Sequence, residues 1–484
     1  MGRRVRVLLI AALASAAIVV PARAVRAAPP CTQPMSGGDW ATYGEDLHGT
    51  QRQLAEDTIN TRNVSKLTQA WSLGNVAQNS GYQEAPPIVS GGCVFINTGG
   101  HIEARSLATG ALVWTSQGAD TSGTFAVTVV DGRVHVGINN NGKPEAAAFD
   151  VTDGHLLWVS QPIYFGYQAT QQSSAIVYDG IQVLFTTGPD FDPKSRPGYG
   201  LIDAATGQVL YSATTLPQSY ADQGYAGGGV WGTPTVDPTT GYLYVGTSNP
   251  ESKTKESPYD DSIIKLDLDR SRSTFGQIVA TLKGNPDSVT GYDNPVCQSV
   301  GGTAWVNGGI YGGSPTCGQT DVDIGVGPTL WRNASGRLMG AALQKSGWLH
   351  AFYADTMTTA WNKQMFVSLG PAGGELTRIA TDGKTLYVVG NPGVLYALNG
   401  ADGRVIWQTP LTGVPTKGGN VALANGVLYY VDEPALKAFD AKTGQMLWMS
   451  PVEPSASIGS AVAVAGHSVV ANHYGVIAAY RLSH

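Results

Sequence analysis

Hydrophobic and polar positions along this chain fall into one recurring phrase: an apolar pair, a polar turn ending in Gly, and a short run closing on an aromatic. It reads ARSLATGALVW at Ala104–Trp114, AFDVTDGHLLW at Ala148–Trp158 and LIDAATGQVLY at Leu201–Tyr211. It returns as AFYADTMTTAW at Ala351–Trp361, ALNGADGRVIW at Ala397–Trp407 and AFDAKTGQMLW at Ala438–Trp448. Two strand-like runs about a turn of Asp, Thr and Gly predict a tight hairpin. Most copies follow a second hairpin, such as Val129–Gly137, Thr381–Gly390 or Leu423–Val431. Four short strands in a unit of roughly 40–45 residues mark a β-propeller blade. Units end at Trp71, Trp114, Trp158, Tyr211, Trp361, Trp407 and Trp448, and a degenerate unit at Ser262–Ala280 fills the gap after Tyr211. The prediction is an all-β, eight-bladed propeller over residues 28–484, with a loop insertion at about residues 285–320. The unit-ending aromatics are expected to pack between neighbouring blades.

Composition adds boundaries. The 62 glycines suit a fold with several tight turns per blade. Outside the N-terminus no window sustains helical spacing of apolar residues. Residues 1–27 read as a signal peptide: Arg3, Arg4 and Arg6 precede the apolar run Val7–Val20 and small-residue cleavage sites at Ala22–Ala24 or Val25–Ala27. That run is short for a membrane span, so a secreted, extracytoplasmic chain is expected. A net charge of −6 without a basic stripe argues against nucleic acid. Four cysteines in an oxidising compartment favour pairing, Cys297 with Cys317 across the Gly-rich insertion and Cys31 with Cys93 near the N-terminus. No C-x-x-C-H stretch is present to attach a haem. A ring closed within one chain leaves no free sheet edge, so a monomer is expected.

Several motifs stand outside the repeat. The opening DWATYGEDLHGTQRQ and INTRNVSKLTQAW lie within Asp39–Trp71, GGGVWGTPTVDPTTGYLYVGTSNP spans Gly227–Pro250, and TTGPDFDPKSRPGYGLIDAATG spans Thr186–Gly207. DVDIGVGPTLW follows at Asp321–Trp331 and QKSGWLHAF at Gln344–Phe352. With these, the chain resembles the pyrroloquinoline quinone (PQQ) dependent alcohol dehydrogenases, and within them the polyvinyl alcohol dehydrogenase-like branch. The resemblance covers Asp39 to Tyr480 and implies PQQ and Ca²⁺ as cofactors. It implies that the opening segment closes the ring against the last blade. By that resemblance Trp231 lies against the quinone, and Asn249, eighteen residues on, binds the metal. An indole face suits a planar quinone and an amide oxygen suits a hard cation. Asp190 lands on a metal-binding acid that is usually Glu, beside Thr187 and Gly188 at the cofactor. Lys345 is the cation facing the quinone oxygens, and Asp323 is the catalytic base and a metal neighbour. Asp287 and Asp293 offer a competing alignment for the base. Glu84 aligns with a cofactor-contacting Glu. Gly325 stands where lanthanide-using relatives carry an extra acid, which favours Ca²⁺.

The pattern also departs from the family. An adjacent Cys-Cys pair is absent, the stretch Gly123–Val130 offers no cation, and Leu376 stands where relatives carry Asn. Arg378 is a candidate replacement donor to the cofactor. The implied activity is oxidation of an alcohol by hydride transfer to PQQ, with a separate cytochrome-type electron acceptor. The alternatives are a non-catalytic propeller that binds protein partners, or a funnel for another ligand such as a polysaccharide, for which Tyr220, Tyr225 and Tyr292 would offer stacking faces.

Overall fold

The computed structural model describes residues 31–74, 87–98, 100–121, 126–163, 166–189, 192–252, 255–285, 323–366, 377–390, 393–412, 419–432, 434–452, 460–473 and 475–483. The signal-peptide residues, Glu84, Asp190, Asp287, Tyr292, Asp293, Cys297 and Cys317 lie outside them. Eight sheets form eight blades of antiparallel strands consecutive in the chain, except that the seventh gains a short parallel strand, Arg52–Gln53, and the eighth takes its outer strand from the N-terminal region. In order they occupy residues 88–115, 128–159, 176–214, 235–283, 329–364, 380–410 and 422–449. The eighth combines residues 460–482 with Leu67–Leu73 as its outer strand, so the N-terminal region closes the ring, Trp71 lying opposite Ala479. Among the described residues no helix is long and apolar enough to cross a membrane.

The repeated phrase has a specific packing purpose. In every blade the outer strand carries a register shift one residue before the aromatic position, a bulge that re-aims that side chain. The indole N–H then donates to a backbone carbonyl of the next blade: Trp71 to Leu107, Trp114 to Val151, Trp158 to Ala204, Trp361 to Gly400 and Trp407 to Ala441, at 2.8–3.2 Å. The ring of Trp114 lies on Gly154, where an added Cβ would collide with it and where φ is +74°. The turn glycine is therefore selected twice, by its left-handed backbone and by the close approach of the ring.

Blade 4 shows what happens when the aromatic is lost. Ala280 occupies its place, opposite Lys265. The next blade's turn then carries Met357 in place of Gly, at φ +52° and buried among Tyr244, Phe352 and Ala354. The carbonyl of Ala354 is satisfied by Lys265 Nζ and Tyr244 Oη, each at 3.0 Å. With no indole to receive, the turn needs no glycine, and the larger side chain fills the space.

The segment Gly38–Gln53 does more than the sequence suggested. It circles the innermost strands as a belt. Gly466 N donates to Gly38 O, Val129 N to Ala41 O, Val236 N to Leu47 O and Leu330 N to His48 O. Thr381 N donates to Thr50 O and Leu423 N to Gln51 O, while Trp40 bridges Val89. Blades 8, 2, 4, 5, 6, 7 and 1 are thereby tied to one strand-like thread. The Cys31–Cys93 disulfide fastens its start to blade 1. Replacing both cysteines by Ser should lower stability by about 2–4 kcal/mol, read as a shifted denaturant midpoint. An unchanged midpoint would mean that the belt holds without its covalent anchor.

Within the belt, Glu45 is half-buried at φ +74°, and burial followed by the neighbouring Asp46 pushes its carboxyl up to about 8, with Arg52 opposing. A carboxyl whose pKa is higher in the folded state retains its proton between about pH 4.5 and 8, where the unfolded chain has lost it. Folding stability from this group therefore falls as pH rises through that window. Glu45→Gln should melt like wild type at pH 4 and progressively higher than it up to pH 8, with a constant gap beyond. Parallel melting curves at every pH would refute this.

Candidate active site

The loops joining strands 2 and 3 within a blade, and those joining one blade to the next, emerge on one face, and the candidate residues gather there. Trp231 stands in the connection before the inner strand Thr235–Asp237 of blade 4, away from the outer-strand series of docking aromatics. Asn249 lies in the 2–3 loop of that blade, Asp323 before the inner strand of blade 5, and Lys345 in the 2–3 turn of blade 5. The turn Gln344–Gly347 is closed by Gly347 N donating to Gln344 O at 2.8 Å. Gly347 has φ +84°, and an added Cβ would collide with the Phe366 carbonyl, so only glycine fits there.

Three groups converge on the Asp323 carboxylate. Lys345 Nζ donates to Oδ2 at 2.8 Å and Trp231 Nε1 donates to the same oxygen at 3.2 Å. Asn249 N donates to Oδ1 at 2.7 Å. Lys345 N donates to the Asp323 carbonyl at 3.0 Å, tying the two backbones together. Side-chain exposure is 12 % for Lys345 and 5 % for Asp323, so the ion pair is largely withdrawn from water. Lys345 Nζ also lies 5.1 Å from the centre of the Trp231 ring. A carboxylate offers about four acceptor positions. Three are filled here, which fixes the group in one orientation and leaves room for one further donor.

Glycines make this convergence possible. A Cβ at Gly325 would collide with the Trp231 ring, and one at Gly232 with the Gly325 carbonyl. Gly229 lies against Thr187 and Ser248, so blade 3 meets blade 4 closely, and Val230 N donates to Thr186 O at 3.1 Å. Thr187 is buried at the end of its strand, and Gly188 packs against Ser195. Trp231, Asn249, Asp323 and Lys345 are thus joined directly, with Thr187 and Gly188 beside them.

Arg378, expected as a cofactor donor, is buried against backbone. It is 1 % exposed, and its guanidinium donates to the carbonyls of Thr233 and Tyr43. Tyr220 packs edge-on against Tyr225 and Tyr259, with ring centres 5.2 and 5.6 Å apart, as a half-buried cluster.

Two further residues escaped sequence reasoning. Gln344 is fully buried and binds both ends of the Asn285 peptide, accepting from its N–H at 2.9 Å and donating to its carbonyl at 2.8 Å. It fastens the start of the insertion to the Lys345 turn. Asp260, also fully buried, has its carboxyl pushed up to about 7 by burial, with Ser257 opposing. Its Oδ1 has no hydrogen-bond partner and faces Gly227. Nothing in the local sequence distinguishes it from a solvated turn acid.

The donor set fits the implied groups. An indole flanked by glycines with a cation beside it suits a planar quinone, and an amide with a carboxylate suits a hard cation. A longer residue at Gly325 has no space against Trp231, so the extra acid of lanthanide sites cannot be accommodated in this arrangement.

Comparison with known proteins bears on the family and the fold. The family profile described as outer membrane protein assembly factor BamB matches residues 57–279 and 322–484. The chain is 26% identical over 461 residues to a polyvinylalcohol dehydrogenase of Sphingopyxis sp. (strain 113P3), covering 84% of this chain and 66% of that protein. It is 26% identical over 255 residues to the dehydrogenase subunit of a quinone alcohol dehydrogenase of Gluconobacter oxydans (strain 621H), covering 44% and 32% respectively. The chain thus spans about two thirds of the first relative and one third of the second. A quinohemoprotein alcohol dehydrogenase of Pseudomonas putida HK5 superposes with a TM-score of 0.71 at 16% identity, over 94% of this chain and 83% of that one, which shows the shared fold.

Proposed function

This chain belongs to the PQQ-repeat propeller family of the quinoprotein alcohol dehydrogenases, and from that premise we propose that it oxidises an alcohol with PQQ and Ca²⁺. The observation that carries the proposal is the Asp323–Lys345 pair held at the Trp231 indole by the Asn249 backbone. Trp231 would support the quinone and Lys345 would face its oxygens, with Thr187 and Gly188 at the rim. Asn249 and Asp190 would hold the cation, with Asp323 as its neighbour. When bound, PQQ supplies a two-electron acceptor for the hydride of the alcohol carbon, and Ca²⁺ supplies Lewis-acid polarisation.

The chain's own residues do the rest. Asp323 uses its remaining acceptor position to take the hydroxyl proton of the substrate as general base. Lys345 stabilises negative charge that develops beside it, in a setting where burial strengthens the interaction. The fixed orientation of the carboxylate means that no rearrangement is needed at the moment of transfer. Export by residues 1–27, a monomeric state and a separate cytochrome-type acceptor belong to the same proposal.

Dye-linked oxidation of a panel of small primary, secondary and polymeric alcohols, with and without PQQ and Ca²⁺, tests it. Turnover dependent on both additions is expected. Turnover independent of PQQ, or none on any alcohol despite bound PQQ, would overturn the assignment. Failure to bind PQQ at all would favour a non-catalytic propeller, as the assembly-factor description of the matching family profile suggests.

A further inference from the structure

One buried side chain links the belt to the two segments that carry Trp231 and Asp323. Arg378 enters from the connection before blade 6, where its N–H donates to Gly419 O at 3.0 Å and the adjacent Ile379 carbonyl accepts from Thr329 Oγ1 at 2.8 Å. From this anchored backbone its side chain reaches the connections into blades 4 and 5. One terminal nitrogen donates to the carbonyl of Thr233, two residues after Trp231. The other donates to the carbonyl of Tyr43 in the belt at 3.4 Å, and the guanidinium carbon lies 4.3 Å from the centre of the Tyr43 ring. A Cβ at Gly327, four residues after Asp323, would collide with both the Thr233 carbonyl and the guanidinium. Cβ atoms at Gly44 and Gly49 would come within 3.0 and 3.1 Å of the same group. Backbone from three separate stretches is thus packed around one planar cation.

We propose that Arg378 is a positioning residue, which sets the separation of the Trp231 and Asp323 segments by clamping Thr233 and Gly327 against the N-terminal belt. The proposal rests on the function given above for those two residues. A planar fork with fixed donors can grip two carbonyls while stacking on a ring; the ammonium of Lys cannot reproduce that geometry. A shift of the floor by about 1 Å can cost on the order of 10²-fold in rate, even when the displaced residue lies away from the chemistry. The belt thereby has a second role, because Tyr43 forms one jaw of the clamp.

The test compares wild type, Arg378→Lys and Tyr43→Leu, the last removing the stacked ring while keeping the backbone carbonyl. All are labelled with 5-fluorotryptophan, and the Trp231 resonance is assigned from Trp231→Phe. Without any cofactor, the Trp231 fluorine signal should shift or split in both variants while the signals of Trp114 and Trp407 stay in place. With PQQ and Ca²⁺, kcat should fall at least tenfold at a KM within about twofold of wild type, and PQQ affinity should weaken several-fold. Variants that melt earlier but keep the Trp231 signal, kcat and PQQ affinity per folded molecule would reduce Arg378 to a structural plug and overturn the inference. If wild type binds no PQQ, the alcohol-oxidising assignment fails, while the cofactor-free Trp231 signal still decides whether Arg378 positions the floor.

Discussion

Asp323→Asn is expected to lower alcohol turnover by about 10²–10⁴-fold, the range for loss of a positioned general base. The substitution preserves shape but removes the proton acceptor. An amide also has only one oxygen, whereas the carboxylate receives Lys345 and Trp231 on Oδ2 and Asn249 N on Oδ1. One of these donors must then face an NH₂ group, and Lys345 loses the negative charge of the carboxylate in a setting only 12 % exposed. Breaking a buried pair by removing one partner costs about 3–5 kcal/mol, so lost activity could reflect lost folding. The double variant Asp323→Asn, Lys345→Met separates the two effects. It should regain much of the melting temperature and none of the turnover. Recovery of activity in the double variant, or near-normal turnover in the single one, would remove Asp323 from the base position.

The largest stability effect is expected at a docking tryptophan. Trp114 is 7% exposed, donates to the Val151 carbonyl at 2.9 Å and lies on Gly154 and beside Phe95. Trp114→Ala removes the ring, leaves the carbonyl without its indole donor and opens a cavity between blades 1 and 2. A loss of about 3–5 kcal/mol follows from large-to-small truncation at such a site. Chemical denaturation followed by circular dichroism reads it directly. A loss under about 1 kcal/mol would mean that neighbouring side chains collapse into the gap. In blade 4, where Ala280 stands in this place, Met357 occupies the turn and Lys265 and Tyr244 donate to the Ala354 carbonyl.

These two predictions also mark what the sequence reveals and what it conceals. The blades were legible because most solve the same local problem, an aromatic from one unit seated on the glycine turn of the next. The repeated phrase states both halves of that contact within a dozen residues. Even the degenerate unit at Ser262–Ala280 kept its register, since the bulge survives without the aromatic. Trp231, Asn249, Asp323 and Lys345 were legible through motifs at family spacing, and the fold brings them together. Gly38–Gln53 was harder: its hydrogen bonds go to seven blades whose inner strands recur roughly every 40 residues, so no local period betrays the belt. The contacts of Arg378 were hidden for the same reason. Its partners, Tyr43, Thr233 and Gly327, are distant in the chain and offer backbone, which leaves no side-chain signature. Asp260 is an ordinary turn acid until tertiary packing buries it.

The central claim is that the glycine-flanked Trp231 floor with Lys345 beside it receives PQQ. Fluorescence titration of wild type and Trp231→Ala with PQQ in the presence of Ca²⁺ tests it most directly. Saturable, one-to-one binding to wild type and at least tenfold weaker binding to the variant are expected. Absence of saturable binding to folded wild type, or equal affinity in both proteins, would contradict it.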